Sequence, residues 1–160
     1  MKNTLKYMAM FILGFLVYDT LELLWDNSTD ISMSYLAGFL TMFGASLNDR
    51  FSWKMDLLLQ ASVITVVATI LEAIVGNIDY YFWHRNIWDY SSFGNLAWFN
   101  GKICLPFCIL WFFASLAIIF IGDAVTYYWL HNGEQPEYWI FGKRIWQMPK
   151  RKCHEDYNEF

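Results

Sequence analysis

Three carboxylates lie within stretches of sequence that are otherwise apolar. Asp19 and Glu22 follow the run MAMFILGFLVY, and Glu72 lies near the end of LLLQASVITVVATILEA. A charge in an apolar environment needs a counter-ion, a proton or a polar ligand, because an isolated buried charge is costly. These residues are therefore candidates for ion pairing or for binding a cation, a proton or a polar substrate.

The spacing of the carboxylates places them on defined parts of helices. Asp19, Glu22 and Asp26 are spaced i, i+3 and i+7, so they share one helix face. Glu72 lies about one turn, roughly 6 Å, before Gly76 at the end of its own apolar segment. We expect these groups to converge on one end of the protein.

Two cations in the segment after Glu72 are its candidate partners. Arg85 and Lys102 lie with Asp89 in the stretch DYYFWHRNIWDYSSFGNLAWFNGK. The first hypothesis is that Glu72 pairs with Lys102 or Arg85 and so fixes this stretch to the helices. Two alternatives stay open: a site for a cation, proton or polar substrate, and solvation at the level of lipid headgroups.

Other side chains in this region favour structural roles. Asp89 precedes Tyr90 in a sequence that suits an Asx-turn, in which the carboxylate accepts hydrogen bonds from nearby backbone N–H groups. Cys104 and Cys108 are spaced i, i+4, and we expect them to pack as small apolar groups, because no third or fourth metal ligand is placed nearby. The sequence predicts no metal and no cofactor.

Signatures of soluble enzymes are missing from the sequence. It contains no G-x-x-x-x-G-K-[ST], no G-x-S-x-G and no H-E-x-x-H motif. The formal net charge of −4 leaves no basic footprint for nucleic acid. We therefore predict neither an enzyme nor a nucleic-acid-binding protein.

The composition explains where the carboxylates must reside. Apolar residues make up 57% of the chain and charged residues 16%, against about 25% charged residues in soluble domains. A bilayer core of about 30 Å needs about 20 mostly apolar helical residues. The sequence predicts an all-α integral membrane protein with about four transmembrane helices, an aromatic-rich external loop and a basic, aromatic tail. The predicted spans are residues 5–24, 31–47, 55–76 and 103–121, in a membrane domain of residues 1–121 followed by a cytoplasmic interfacial tail, 122–160.

The distribution of lysine and arginine predicts the orientation. With four spans, nine of these cations fall on one side of the bilayer and two, Arg85 and Lys102, on the other. Cytoplasmic segments carry the excess of cations. We expect a multi-pass protein of a prokaryotic cell membrane with both termini in the cytoplasm.

Small residues predict how the helices pack. Ala61, Thr65, Thr69 and Ala73 recur every four residues and form one narrow strip on the third span. Ser34 and Gly38 are candidates for the same role on the second. Close approach over small residues drives helix association in lipid, where the hydrophobic effect offers little.

One set of residues resembles a known family. Trp88-Asp89-Tyr90-Ser91, then Asn100-Gly101 before Lys102-Ile103-Cys104-Leu105, and then Trp111, resemble the CmpB-like, type IV ABC-transporter family of small integral membrane proteins. Glu72 resembles a glutamate near the end of the family's preceding helix. The resemblance is strongest over residues 72–111 and weaker before them.

This resemblance implies a membrane-embedded, permease-like subunit of a transport system. Four short spans are few for a conduction path, so such a subunit is expected to act with a separate ATPase or other membrane subunit, or as a homo-oligomer. The alternative is a membrane scaffold or regulator, without transport activity, that binds another membrane protein or a lipid. Under either reading, Trp88 and Tyr90 are expected to act as interface anchors rather than as a platform for substrate.

The C-terminal tail combines aromatic residues with five cations. Cytoplasmic lysine and arginine are drawn to anionic headgroups, so we expect the tail to anchor on the lipid surface. A docking surface for a soluble partner is the alternative. The residues concerned are Tyr127, Tyr128, Trp129, Trp139, Trp146, Lys143, Arg144, Lys150, Arg151 and Lys152.

The predicted orientation can be tested by cysteine labelling on intact cells. Single cysteines at Asn27 and Ser92 are expected to react with an impermeant thiol reagent, because both positions are placed outside. A single cysteine at Asn158 is expected to react only after the cells are permeabilised. Labelling at Asn158 together with protection at Ser92 would reverse the orientation.

Overall fold

The computed structural model describes residues 2–52 and 54–151 of the chain. Helices dominate this part, accompanied by two small antiparallel hairpins. The helices are α1 (Lys2–Asp26), α2 (Ile31–Ala45), α3 (Leu47–Arg50), α4 (Leu57–Phe82) and α5 (Leu105–Ala124), and the strands are β1 (Ala97–Trp98), β2 (Ile103–Cys104), β3 (Glu137–Ile140) and β4 (Lys143–Gln147).

Three helical segments are long and apolar enough to cross a membrane. They are Thr4–Trp25, Leu57–Phe82 and Leu105–Trp129, the last being α5 with one further π-helical turn. Helix α2 has 15 residues and is therefore about 22 Å long, shorter than a hydrocarbon core of about 30 Å. A mostly helical membrane protein is thus supported, and a fourth span stays a prediction.

The helix limits follow from local chemistry. Asp56 precedes α4, and its Oδ1 accepts hydrogen bonds from the N–H groups of Leu58 at 2.9 Å and Leu59 at 3.3 Å. Pro106 lies in the first turn of α5, where its missing N–H breaks no helical bond, as predicted. Helix α4 continues six residues beyond the predicted limit at Gly76, and the helix that begins at Leu105 likewise passes the predicted limit at residue 121.

Helix α2 packs against α1, α4 and α5 and so lies at the centre of the bundle. Gly38 permits a close approach to α1, since a Cβ at this position would lie 2.8 Å from the Phe11 carbonyl oxygen. Ser34 is completely buried and donates its hydroxyl hydrogen to Asp19 Oδ1. The predicted packing role of Ser34 and Gly38 is confirmed.

The predicted strip of small residues on α4 faces α5. Ala61 is completely buried, the hydroxyl oxygens of Thr65 and Ser115 are 3.4 Å apart, and the Thr69 hydroxyl lies 3.6 Å from Cys108 Sγ. Small side chains let the two backbones approach, and the hydroxyl groups also bond to their own helix carbonyls. Cys108 therefore belongs to helix packing.

The tail folds into a β-hairpin, which the sequence analysis did not predict. Strands β3 and β4 are joined by Phe141 (φ 49°) and Gly142 (φ 72°), and two residues with positive φ make the turn that suits a two-residue hairpin. Tyr138 is buried, and its ring centroid lies 4.4 Å from that of Phe120 on α5. The hairpin is thus a packed part of the bundle.

Candidate functional site

The segment between α4 and α5 closes over one end of the bundle, called here the Glu72 end, where α2 and α5 begin and α4 ends. Asp89 Oδ1 accepts the Ser91 N–H at 2.8 Å, which confirms the predicted Asx-turn. Bonds from the Ser91 hydroxyl and N–H hold the pKa of Asp89 below its usual value. Gly101 has φ 73°, and a Cβ there would overlap Asp89 and Ser91, so glycine is required.

Lys102 ties this segment together from the inside. Its side chain is only 2% exposed, and Nζ donates to Asn86 Oδ1 and, at 2.7 Å, to the Trp88 carbonyl. Trp88 Nε1 donates in return to the Lys102 carbonyl at 3.1 Å. The ammonium also lies 5.4 Å from the ring centroid of Tyr80 and 5.8 Å from that of Trp88, within reach of cation–π attraction.

Arg85 joins the end of α4 to the start of α2. Its Nη2 lies 2.6 Å from Asp79 Oδ1, and its Nη1 lies 3.5 Å from Asp30 Oδ2. The hydrogen bond to Asp79 raises the pKa of Arg85 above its usual value. Asp30 also caps α2 by accepting the Ser32 N–H at 2.9 Å, so one guanidinium fixes two helix ends.

The predicted ion pair of Glu72 is wrong. Lys102 instead donates to Asn86 and to the Trp88 carbonyl, both on its own segment. Arg85 instead pairs with Asp79 at the end of α4 and with Asp30 before α2. Glu72 is 2% exposed. Its Oε1 accepts a long hydrogen bond, 3.4 Å, from the Tyr90 hydroxyl. The Trp111 side chain also donates toward the carboxyl group, although Oε2 has no partner at full hydrogen-bond geometry within residues 2–52 and 54–151.

Two carboxylates of the face predicted on α1 accept hydrogen bonds from hydroxyl groups. Glu22 Oε1 accepts the Tyr18 hydroxyl at 2.8 Å, and Asp19 Oδ1 accepts the Thr29 hydroxyl at 2.8 Å. The side chain of Asp26 lies outside the described residues. No cation contacts Asp19 or Glu22 in the part of the chain that the structure describes.

Two carboxylates and two tyrosines meet beneath the α4–α5 segment. Tyr90 interacts electrostatically with Glu72 and Glu22, and Tyr18 does so with the same two carboxylates. Burial is the main cause that raises the pKa of Tyr90, and it remains a neutral donor at neutral pH. Trp111 of α5 lies against Glu72. Glu22 and Glu72 therefore lie near the same two tyrosines, while Asp89, Arg85 and Lys102 hold the α4–α5 segment.

Sequence reasoning missed several polar residues that the fold buries. Asp79 lies seven residues after Glu72, so i, i+7 spacing on one face of α4 was the available signal. At the opposite end, Lys6 Nζ lies 2.8 Å from Asp49 Oδ2. There Asn48 Nδ2 donates to Asp123 Oδ2 at 2.8 Å, which also accepts the Tyr138 hydroxyl at 3.1 Å.

A cavity of about 220 Å³ lies beside Asn48 and Asp123. Asp49 and Glu134 also line it. Nowhere in the described chain do three histidine, cysteine, aspartate or glutamate side chains converge as a metal site would require.

Burial raises the pKa of the Cys104 thiol, so this residue is an inert packing group.

Paired substitutions test the finding that Glu72 forms no ion pair with Lys102. Glu72→Gln is expected to leave thermal stability in detergent nearly unchanged, because no cation loses its counter-ion. Lys102→Gln is expected to lower stability, since Nζ donates to Asn86 and Trp88. In the double variant, the two changes in the free energy of unfolding are expected to add within about 0.5 kcal/mol.

The matched control for this cycle is the pair Asp79 and Arg85, whose charged atoms are in contact. Asp79→Asn and Arg85→Gln are expected to show a larger coupling than Glu72 and Lys102, measured by thermal unfolding of the single and double variants. Strong coupling between Glu72 and Lys102 would restore the ion pair.

Comparison with known proteins agrees with the resemblance read from the motif residues. Searches of curated proteins and of solved structures gave no match. Residues 30–143, more than half of the chain, match one family, and this range includes Glu72, Trp88, Ser91 and Asn100, whereas Asp19 and Glu22 precede it. The chain therefore belongs to the family described as "Putative ABC-transporter type IV".

Proposed function

We propose that this chain is the membrane-embedded, permease-like subunit of a transport system and acts with a separate partner or as an oligomer. The observation that carries the proposal is the family match over residues 30–143. That range contains α2, α4, α5 and the segment that covers the Glu72 end. The membrane context is supported by the three helical segments of sufficient length and apolarity.

The Glu72 end offers a chemically suitable place for a transported or coupling species. Glu72 is a buried carboxyl group that two neutral donors, Tyr90 and Trp111, approach, and no cation lies within ion-pair distance of it among the described residues. Ionisable groups at such positions in membrane proteins usually serve ion, proton or substrate pathways. Tyr90 belongs to the covering segment, so movement of that segment would change the environment of Glu72.

The segment that covers Glu72 is held mainly by contacts that do not involve Glu72 itself. Lys102 and Trp88 bond to each other's backbone carbonyls, and Arg85 ties the end of α4 to Asp30. None of these bonds involves Glu72, which Tyr90 meets through one long hydrogen bond. Breaking that bond costs little, since the donor–acceptor distance is long for a hydroxyl group. The Tyr90 ring also stacks on Phe107 of α5, with the ring centroids 4.5 Å apart.

If ATP drives the system, a separate subunit must bind and hydrolyse it. The chain carries no phosphate-binding loop of the G-x-x-x-x-G-K-[ST] type. Three or four helices are also few for a path across the bilayer, which favours an oligomer or a second membrane subunit. We place the subunit in the cell membrane, with both termini in the cytoplasm on the basis of the lysine and arginine distribution.

A scaffold or regulator is the second candidate. The observation that favours it is the exposed aromatic surface at the end of α4 and beyond, where Phe82, Trp83 and Phe99 are mostly exposed. Such a surface suits contact with another membrane protein or with lipid.

Isolation of the native complex separates the two candidates. The tagged chain, expressed at its natural level and extracted in a mild detergent, is expected to co-purify in fixed stoichiometry with an ATPase subunit, and the complex is expected to hydrolyse ATP. Mass spectrometry identifies the Walker-type subunit, and an unrelated tagged membrane protein is the control. Recovery of the chain without an ATPase, or without ATP hydrolysis, would contradict an ATP-driven transport system and favour the scaffold.

A further inference from the structure

The β3–β4 hairpin is fixed to the first residue before a spanning helix. Asp56 Oδ1 caps α4, and Asp56 Oδ2 accepts the Phe141 N–H at 2.6 Å. Asp56 also forms a parallel bridge with Trp139. The bond from Phe141 is the main reason that the pKa of Asp56 lies below its usual value. The hairpin turn therefore lies at the level at which α4 begins.

This level corresponds to the headgroup region of a bilayer. Helix α4 has 26 residues and is about 39 Å long, whereas the hydrocarbon core is about 30 Å thick. The ends of a helix of this length extend into the polar regions on the two surfaces. Phe141, bonded to the residue that precedes this helix, is accordingly placed among headgroups or just below them.

The two faces of the hairpin have different environments. Tyr138 and Met148 are buried against the bundle. Lys143, Arg144 and Ile145 are exposed, and so is the Phe141 ring, at 85%. The half-exposed Trp146 ring packs beside Tyr138 and Phe120 on the side of the bundle. Phe141 precedes two adjacent cations, Lys143 and Arg144, and Ile145 follows them. This combination suits the membrane interface, where apolar and charged groups are both satisfied.

The cations of this surface are available to an anion. Arg144 Nη1 lies 3.1 Å from Glu137 Oε1, but among the described residues no carboxylate lies within ion-pair distance of Lys143 or Lys54. Lys54 is exposed and lies two residues before Asp56, close in sequence to the exposed Phe51. Lysines near a membrane surface attract anionic headgroups.

We propose that the exposed face of the β3–β4 hairpin, with Lys54 beside it, rests in the headgroup layer and binds anionic lipid headgroups. Phe141 and Ile145 enter the interface, and Lys143 and Lys54 contact the phosphates. This inference is independent of the proposed transport function. Docking of a soluble protein subunit is the competing use of the same face, and the experiment distinguishes the two.

Lipid-borne quenchers test the proposal in the full chain. In a background with Cys104, Cys108 and Cys153 replaced by serine, a single cysteine at Ile145 is labelled with a fluorophore. The protein is placed in nanodiscs of phosphatidylcholine alone or mixed with phosphatidylglycerol, each containing headgroup-level spin-labelled lipid. Fluorescence is expected to be quenched in both, and more strongly in the anionic nanodiscs.

Charge removal identifies the contact with the headgroup. Lys143→Gln combined with Lys54→Gln is expected to abolish the extra quenching in anionic nanodiscs, whereas Lys150→Gln, at an exposed lysine beyond the hairpin, is expected to retain it. A label at Phe141 repeats the measurement if the Ile145 variant fails to fold. An unquenched label would overturn the proposal and leave the face to a soluble subunit. Equal quenching in the two lipid mixtures would overturn the binding of anionic lipid.

Discussion

Polar side chains inside an apolar helix bundle must be satisfied by one another, and this requirement organises the molecule. At one end, Lys6 pairs with Asp49, and Asn48 bonds to Asp123. At the other, Arg85 joins Asp79 to Asp30. The short helix α2 and the residues that flank it contribute to both ends, since Asp30 precedes it and Asn48 follows it. Its central position therefore reflects polar satisfaction as much as close packing over Gly38.

Glu72 departs from this pattern, because this buried carboxyl group has no cation beside it among the described residues, and the departure supports a functional role for the residue. The neighbouring cations are already bound to other acceptors, and the donors that approach the carboxyl group, Tyr90 and Trp111, are neutral. A buried carboxyl group without a cation is stable only if it is neutral or bound to a ligand. The segment that supplies Tyr90 lies within the range, residues 30–143, that matches the family. The architecture thus brings a buried carboxyl group without a counter-ion together with a segment inside the matched range.

Several features were predictable because they depend on short-range chemistry. Pro106 marked the start of α5, Asp89 formed its turn with Ser91, and the strip from Ala61 faced its neighbour, since each follows from spacing along the chain. The partners of Lys102 and Arg85 were not predictable, because a carbonyl, an amide and Asp79 competed with Glu72, and only the folded path of the segment decides between them. The hairpin was missed although Phe141-Gly142 lies between two short runs typical of strands. Its strands are short, and one of them is exposed along most of its length.

Infrared spectroscopy of the protein in lipid tests the central claim, which is that Glu72 is buried without a counter-ion. The difference between the parent protein and Glu72→Gln at neutral pH is expected to show the carbonyl stretch of a protonated carboxylic acid, lost in the variant. Asp79→Asn is the control, and its difference spectrum is expected to show carboxylate bands, because the Arg85 guanidinium lies 2.6 Å from Asp79 Oδ1. Carboxylate bands alone for Glu72 would contradict the account, since they would require a cation beside this residue.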